Sequence, residues 1–327
     1  MAGQPLTILF NTYPVAFACP GGGEVQLSQY RRALERLGHR VVLYDQWHPQ
    51  FKECDIVHYF SVQGWAAPFC HYARRQGKPV VVSTILWLGE NKYDYDLTAI
   101  GQVLAACDLA LPNSRGEGER LAAWYGLSPD KFVPVVNGVD EVFFTPGDPA
   151  LFRSRFGING PFILSIANIE PRKNQLRLIR ASRDLAVQLV LMGRIRDTAY
   201  WEACQAAMHK AVRYLGPVDY ASALHRAAYA ACRAFILPTL LETPGLAALE
   251  AAAQGAPLCL TREGCTEEYF AEQALYVDSE SEESIRDGLI AVQRETRSEA
   301  RSRFVRERYT WDIAASQLET IYRRLLP

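Results

Sequence analysis

The sequence predicts two doubly wound, Rossmann-like parallel α/β domains in tandem. Three observations carry this expectation: short runs that are apolar at nearly every residue, amphipathic segments between them, and a cluster of turn residues near the middle of the 327 residues. Strands that are apolar on both faces suit a sheet covered by helices on both sides, and the intervening helical patterns suit the crossovers that parallel pairing requires. A chain of this length exceeds one ordinary domain and can bury two cores.

In the first half the series runs LTILF, EVQLSQYRRALERLG, HRVVLY, DIVHYF, GWAAPFCHYARRQ and PVVVSTI, then LTAIGQVLAAC, DLALPNS, RGEGERLAAWYG and KFVPVVNG. The turn-rich NGVDEVFFTPGDP interrupts it, which places a first domain at residues 1–145 and a second at 146–305. The second series runs FILSIAN, NQLRLIRAS, VQLVLMG, TAYWEACQAAM, VRYLG, ASALHRAAYAA, RAFILP, an alanine-rich helix, PLCLT and ALYVD. From about Ser281 onward only helical spacing remains. Residues 306–327, with WDIAASQLETIYRRLL, are read as a terminal helix crossing back to the first domain.

Hydrophobic residues make up 49% and charged residues 22%, which excludes a disordered or collagen-like chain. Lys plus Arg total 35 against 36 Asp plus Glu, so no global charge attracts nucleic acid or an anionic bilayer. The opening MAGQPLTILFNTYP has no basic leader and only a strand-sized apolar run, so neither a signal peptide nor a membrane span is expected, and a cytoplasmic location is. Eight cysteines (Cys19, Cys54, Cys70, Cys107, Cys204, Cys232, Cys259 and Cys265) form no CxxC pair, and reduced thiols are expected.

In an open parallel sheet, ligands gather at the carboxyl ends of strands, where loops lead into helix N-termini with free N–H groups. Three loops meet that description. In LETPGLAALEAAAQGAP, Glu242 and Glu250 lie eight positions apart about a Thr-Pro-Gly break; Gly245 and Leu246 offer amides to an anion, and Glu250 lies further along the helix. A carboxylate taken out of water needs donors, which paired sugar or ribose hydroxyls supply. Glu250 is equally compatible with a solvated position on an alanine-rich helix. In NIEPRKN, Arg172 and Lys173 can neutralise a diphosphate or simply face solvent. In CPGGGEVQL, three glycines allow close backbone approach to a ligand ahead of a helix from Glu24, or make a plain turn.

Together these elements resemble the large retaining glycosyltransferase family of GT-B architecture, the group 1 glycosyltransferases (family 4), which includes bacterial mannosyl- and glucosyltransferases. The resemblance spans nearly the whole chain, through GGGEVQLSQYRRALERLGHRVVLY, LPNSRGEGERLAAWYGLSPDKFVPVVNGVDEVFF, IEPRKN, VRYLGPV and FILPTLLETPGLAALEAAAQGAPL, the last with a Glu, seven residues, Glu signature. It implies two Rossmann-like domains about a central cleft, and transfer of a hexose from a nucleoside diphosphate sugar to a hydroxyl acceptor with retention. Glu242 would hold the donor sugar, the amides of Gly245 and Leu246 would meet sugar or phosphate, and Glu250 would bind the ribose. Lys173 with Arg172 would neutralise the leaving diphosphate, and Gly22 and Gly23 would approach it from the first domain.

No Asp-x-Asp stands at a strand end, so no metal is expected and the donor is the only small molecule required beyond the acceptor. The acceptor is a sugar, a lipid-linked or another small-molecule hydroxyl. His58 and Glu90 are the acceptor-side candidates; Trp65, Trp87 and Tyr93 could stack on sugar rings. The groups Arg31, Arg32, Arg36 and Arg74, Arg75, Lys78 could meet anionic lipid at the inner membrane face or form solvated helix faces. Two departures from the family stand out: Ile85 and Leu86 lie where members carry a His, and Ala167 where many carry an Arg. They keep open a non-catalytic nucleotide-sugar-binding subunit, besides an epimerase or phosphorylase of the same architecture.

Overall fold

Both faces of a central parallel strand are covered, so strands can form wherever the chain supplies a run with no residue that needs water. The computed structural model describes residues 4–18, 20–63, 66–89 and 95–326. Two compact units emerge, Met1–Gly138 with Trp311–Pro327, and Val139–Thr310.

In the first unit β1 (Thr7–Thr12), β2 (Arg40–Leu43), β3 (Ile56–Phe60), β4 (Val80–Ser83) and β5 (Leu109–Leu111) pair in parallel in the order β2-β1-β3-β4-β5. β3 and β4 are buried at every residue, whereas the edge strand β2 buries only Val41. The helices α1 (Gly22–Arg36), α2 (Ala66–Arg75) and α3 (Leu97–Ala106) lie between these strands, and α4 (Arg115–Tyr125) follows β5. α1 begins at Gly22, two residues before the expected Glu24, because the Glu24 carboxylate reaches back to the Gly21 N–H at 2.6 Å. The last run of the first series, KFVPVVNG, builds no ladder. It makes one bridge, Ala110 with Phe132, and donates from Val133 N–H to the Ala110 carbonyl and from Val135 N–H to the Pro112 carbonyl, each at 2.9 Å, while Pro134 between them has no N–H to offer on the opposite edge.

The second unit opens with α5 (Pro149–Phe156) and builds a six-stranded parallel sheet, β11-β10-β9-β6-β7-β8. Its strands are β6 (Phe162–Ile166), β7 (Gln188–Met192), β8 (Val212–Tyr214), β9 (Ala234–Leu237), β10 (Leu258–Thr261) and β11 (Leu275–Val277). The connecting helices are α6 (Gln175–Ala181), α7 (Thr198–Ala207), α8 (Ala223–Ala231), α9 (Leu246–Ala253) and α10 (Thr266–Phe270), followed by α11 (Glu282–Val292) and α12 (Glu299–Arg308). Ile163, Leu189, Leu191 and Ile236 of the sheet meet Leu178, Ile285 and Leu289 of α6 and α11 in one core. Strand order reverses between β6 and β9, paired through Ile163–Ala234 and Leu164–Phe235, so the loops after these two strands diverge and leave a crevice at the switch point.

The last helix, α13 (Trp311–Leu325), belongs to the first unit and packs on α1, with Trp311 edge-on to Tyr30 at 5.7 Å between ring centroids. The units divide at Gly138/Val139 and Thr310/Trp311, a few residues from the expected 145 and 305. Val139 pairs with Thr310 and donates its N–H to the Tyr309 carbonyl at 2.9 Å, which ties the NGVD segment to the end of α12.

Gly193, just after β7, has φ +145°, and a Cβ there would stand 1.8 Å from the Ala167 carbonyl oxygen. Backbone cannot give way as a flexible side chain would. Gly193→Ala is therefore expected to cost the second unit about 3 kcal/mol or more, read as a lowered midpoint in urea unfolding; an unchanged midpoint would contradict the close approach.

Candidate functional site

In the second unit the loop after β6 carries Arg172 and Lys173, and the loop after β9 carries Glu242. Lys173 donates from Nζ to Glu242 Oε1, and the two side chains are only 14% and 6% exposed, so this is a buried ion pair across the switch point. Burial opposes charge on Lys173 and lowers its pKa despite Glu242. Burial likewise opposes charge on Glu242, but Lys173 and Arg172 more than offset it, and its pKa falls below the ordinary value. Glu242 is thus an ionised acceptor.

Backbone ties hold this pair in place. The Leu240 N–H donates to the Arg172 carbonyl at 2.9 Å, and Arg172 Nη1 reaches the Leu241 carbonyl at 3.4 Å. Asn174, left-handed at φ +61° and buried, donates from Nδ2 to the Pro238 and Ser279 carbonyls at 2.9 and 2.8 Å. On the other side, Glu242 N–H donates to Glu263 and its carbonyl accepts from Cys265 N–H at 3.0 Å, an approach that Gly264 allows at φ +108°.

Beyond Glu242 the chain turns at Gly245, φ +88°, and α9 begins at Leu246. Helix geometry leaves its first amides without intrahelical acceptors, so Gly245 and Leu246 stand where an anion can be held. Further along, Glu250 is buried, and its Oε2 accepts from the Tyr229 hydroxyl at 2.7 Å. Burial lifts the Glu250 pKa to about 8. His225 lies one turn before Tyr229 on α8, its Nε2 3.5 Å from the same oxygen, and burial lowers its pKa to about 4. The Ala221 N–H points at Nδ1 at 3.3 Å, which places the ring proton on Nε2. The two carboxyl groups of the signature therefore carry opposite protonation states at neutral pH, one ionised by cations and one kept protonated by burial.

Residues 151–311 match the family model described as glycosyl transferases group 1. Over these residues, just under half of its length, the chain is similar to the group 1 glycosyltransferases. A D-inositol 3-phosphate glycosyltransferase of Stackebrandtia nassauensis is 30% identical over 237 residues, 66% of this chain and 52% of that protein. The chain spans about half the length of the curated relatives it matches. Sucrose-phosphate synthase from Thermosynechococcus elongatus superposes with a TM-score of 0.81 at 18% identity, covering 98% of this chain and 99% of that one. Anabaena HepE in complex with UDP does so with a TM-score of 0.79 at 16% identity, covering 98% and 100%. With its two parallel sheets flanked by helices, the chain has the GT-B fold.

The family match covers the second unit, whose sheet brings Lys173, Arg172, Glu242, Gly245 and Leu246 to one end. The first-unit candidates fare differently. Gly22 and Gly23 open α1 beyond β1, and a Cβ on Gly23 would meet only the Ile85 side chain at an ordinary 3.5 Å, so packing alone does not demand glycine there. His58 is corrected from an acceptor contact to a core residue. It is fully buried, its Nδ1 lies 2.7 Å from the Tyr322 hydroxyl and its Nε2 2.8 Å from Ser83 Oγ, and burial lowers its pKa to about 3. Glu90 lies outside the described residues, as do Trp65 and Tyr93. Trp87 is buried beneath the Arg120 guanidinium, 4.5 Å from the ring centroid.

Sequence reasoning missed three site-related residues. Tyr229 and His225 sit four apart on a buried helix face, a spacing that marks a shared surface and could have flagged them as a pair. Glu117 is fully buried in the first unit; Oε1 accepts from the Thr84 hydroxyl and, at 2.9 Å, from Leu86 N–H, while Oε2 accepts from Asn113 N–H at 3.0 Å. It thereby holds Ile85 at φ +49°, a strained conformation for a β-branched residue. The Ser-x-x-Glu spacing of Ser114 and Glu117 signals a helix start, which it is, but says nothing of this brace. Among the described residues no group of three or more His, Cys, Asp or Glu could hold a metal, and no helix is long and apolar enough to cross a membrane.

The protonation states set a pH dependence. The folded pKa of Glu250 lies above its ordinary 4.5, so the folded state holds the extra proton and stability falls as pH rises from about 4.5 to about 8. His225 acts oppositely between about 4 and 6.5, where the unfolded chain binds the extra proton and stability rises with pH. Between pH 6.5 and 8 the Glu250 effect stands alone of the two. The melting temperature should decline across that window, and Glu250→Gln should flatten the decline; an equal slope in both proteins would refute the buried proton.

Proposed function

We propose that this chain transfers a hexose from a nucleoside diphosphate sugar to a hydroxyl acceptor, with retention of the anomeric configuration. The observation that carries the reading is the buried Lys173–Glu242 pair at the sheet's switch point, beside the N-terminus of α9. The family match over residues 151–311 and the UDP in the HepE structure support the donor class.

Breaking the anomeric C–O bond builds negative charge on the leaving diphosphate and positive charge on the sugar ring. Lys173 and Arg172 would stabilise the first, together with the amides of Gly245 and Leu246. Glu242, ionised and held by Lys173, would accept hydrogen bonds from donor-sugar hydroxyls. Glu250 would meet the ribose diol, with Tyr229 keeping one carboxyl oxygen turned inward. Gly22 and Gly23 are the proposed donor contacts of the first unit. These cations supply the charge that a metal would otherwise bring, so transfer should persist in a chelator.

A second reading, a nucleotide-sugar binder without catalysis, draws on Ile85 and Leu86, which place apolar side chains where the family carries a His. Turnover separates the two. Incubated with UDP-, ADP- and GDP-sugars and candidate acceptors, the protein should release nucleoside diphosphate; binding with neither transfer nor slow hydrolysis would favour the binder. NMR of the product would read the anomeric outcome.

Glu242→Gln should lower transfer about a hundredfold. Lys173→Gln should do the same and also destabilise the fold by about 3 kcal/mol, because the buried carboxylate loses its hydrogen-bonded cation and keeps only the Arg172 charge nearby. The double variant should regain the melting temperature without regaining transfer. Undiminished transfer by Glu242→Gln would end the assignment. Gly23→Ala should keep or slightly raise the melting temperature while lowering transfer about tenfold or more, since only a bound ligand needs that space; equal transfer would remove Gly23 from the site.

A further inference from the structure

The loop after β6 carries a second, more exposed charge cluster beside the Lys173–Glu242 pair. Arg172 Nη2 lies 3.1 Å from Glu170 Oε1, and Arg196 Nη1, from the loop after β7, lies 3.3 Å from Glu170 Oε2. One carboxylate thus bridges two guanidinium groups, with the Glu170 side chain 16% exposed and those of Arg172 and Arg196 42% and 28% exposed.

Backbone contacts already join the two loops without these side chains. Ile169 N–H donates to the Arg194 carbonyl at 2.8 Å, Arg196 N–H donates to the Ile169 carbonyl at 3.1 Å, and Ile169 pairs with Ile195. Glu170 makes no side-chain cap to the turn Pro171–Lys173 that follows it. Its carboxylate pairs with the two arginines and does not cap the turn. A carboxylate between two guanidinium groups occupies the geometry in which a phosphate is held, but with a single charge and two acceptor oxygens, against the larger charge and several oxygens of a diphosphate. Near the surface such a pair is weak and can be exchanged.

We propose that Arg196 is a further cation of the diphosphate site, and that Glu170 holds it together with Arg172 in the free protein and yields both to the diphosphate. This rests on the reading that Arg172 and Lys173 receive the donor's diphosphate. The loop after β7 then contributes to donor binding alongside those after β6 and β9, and Glu170 is a built-in competitor that weakens the grip on the leaving group and favours its release.

The test measures affinities of the full-length protein for UDP, ADP, GDP and inorganic pyrophosphate by titration calorimetry in chelator, with the nucleoside matching the tightest nucleotide as control. Arg196→Gln should weaken diphosphate binding about tenfold. Glu170→Gln, of the same shape, should tighten it about threefold, and the double variant should lose that gain. Nucleoside affinity should not change in any of them. Unchanged diphosphate binding in Arg196→Gln, weaker or unchanged binding in Glu170→Gln, or a parallel loss of nucleoside affinity would overturn the proposal, the last by showing a structural role. If Arg172→Gln and Lys173→Gln weaken diphosphate binding while Arg196→Gln does not, this inference alone fails. If all three leave it unchanged, or none of the four probes binds, the donor reading fails with it.

Discussion

The ion pair between Lys173 and Glu242 joins the two loops that diverge at the switch point of the second sheet, and most of the candidate site is arranged around it. Alone, either charge would be expensive so far from water, and each makes the other's ionised form tenable. Leu240, Arg172 and Asn174 hold the loops at the distance the pair requires, and Gly264 lets the next loop press against the Glu242 backbone. The pair consequently presents an anion and a cation side by side, next to helix amides. On the proposed function, the sugar hydroxyls would meet the anion and the diphosphate the cation.

The signature's two carboxyl groups illustrate how environment divides identical chemistry. Glu242 faces cations and stays charged; Glu250, eight residues on, faces a phenol, a neutral imidazole and aromatic rings, and keeps its proton. A protonated carboxyl can donate as well as accept, so the two are suited to different hydroxyl partners. The alanine-rich helix that carries Glu250 gains a reason: small side chains let α9 lie close to the sheet, which takes Glu250 out of water.

The first unit uses its buried polar groups as braces. Glu117 fixes the loop after β4 from two directions and keeps Ile85 left-handed. His58 ties β3 to β4 through Ser83 and to α13 through Tyr322. Both are fully satisfied networks, which specify one packing arrangement and exchange little with solvent. A histidine in an otherwise apolar strand is accounted for by this structural duty.

Strand and helix order, the two-unit division and the placement of Lys173, Arg172, Glu242 and the α9 turn just beyond β6 and β9 were legible in the sequence, because each depends on local periodicity or on a loop's position after a strand. The domain edges were legible only to within several residues, since the bond that decides them joins Val139 to Tyr309 across most of the second unit. Missing the brace at Glu117 and the Tyr229–His225 surround of Glu250 had the same cause, and so did misplacing His58. What a buried polar side chain does is decided by partners that are distant in sequence, and a run of residues read along one line does not contain them. The sequence by itself determined which groups arrive at the carboxyl ends of the strands; only the tertiary structure decided which of them are charged, which are satisfied by each other, and which remain available to a ligand, because burial and pairing are properties of neighbours in space.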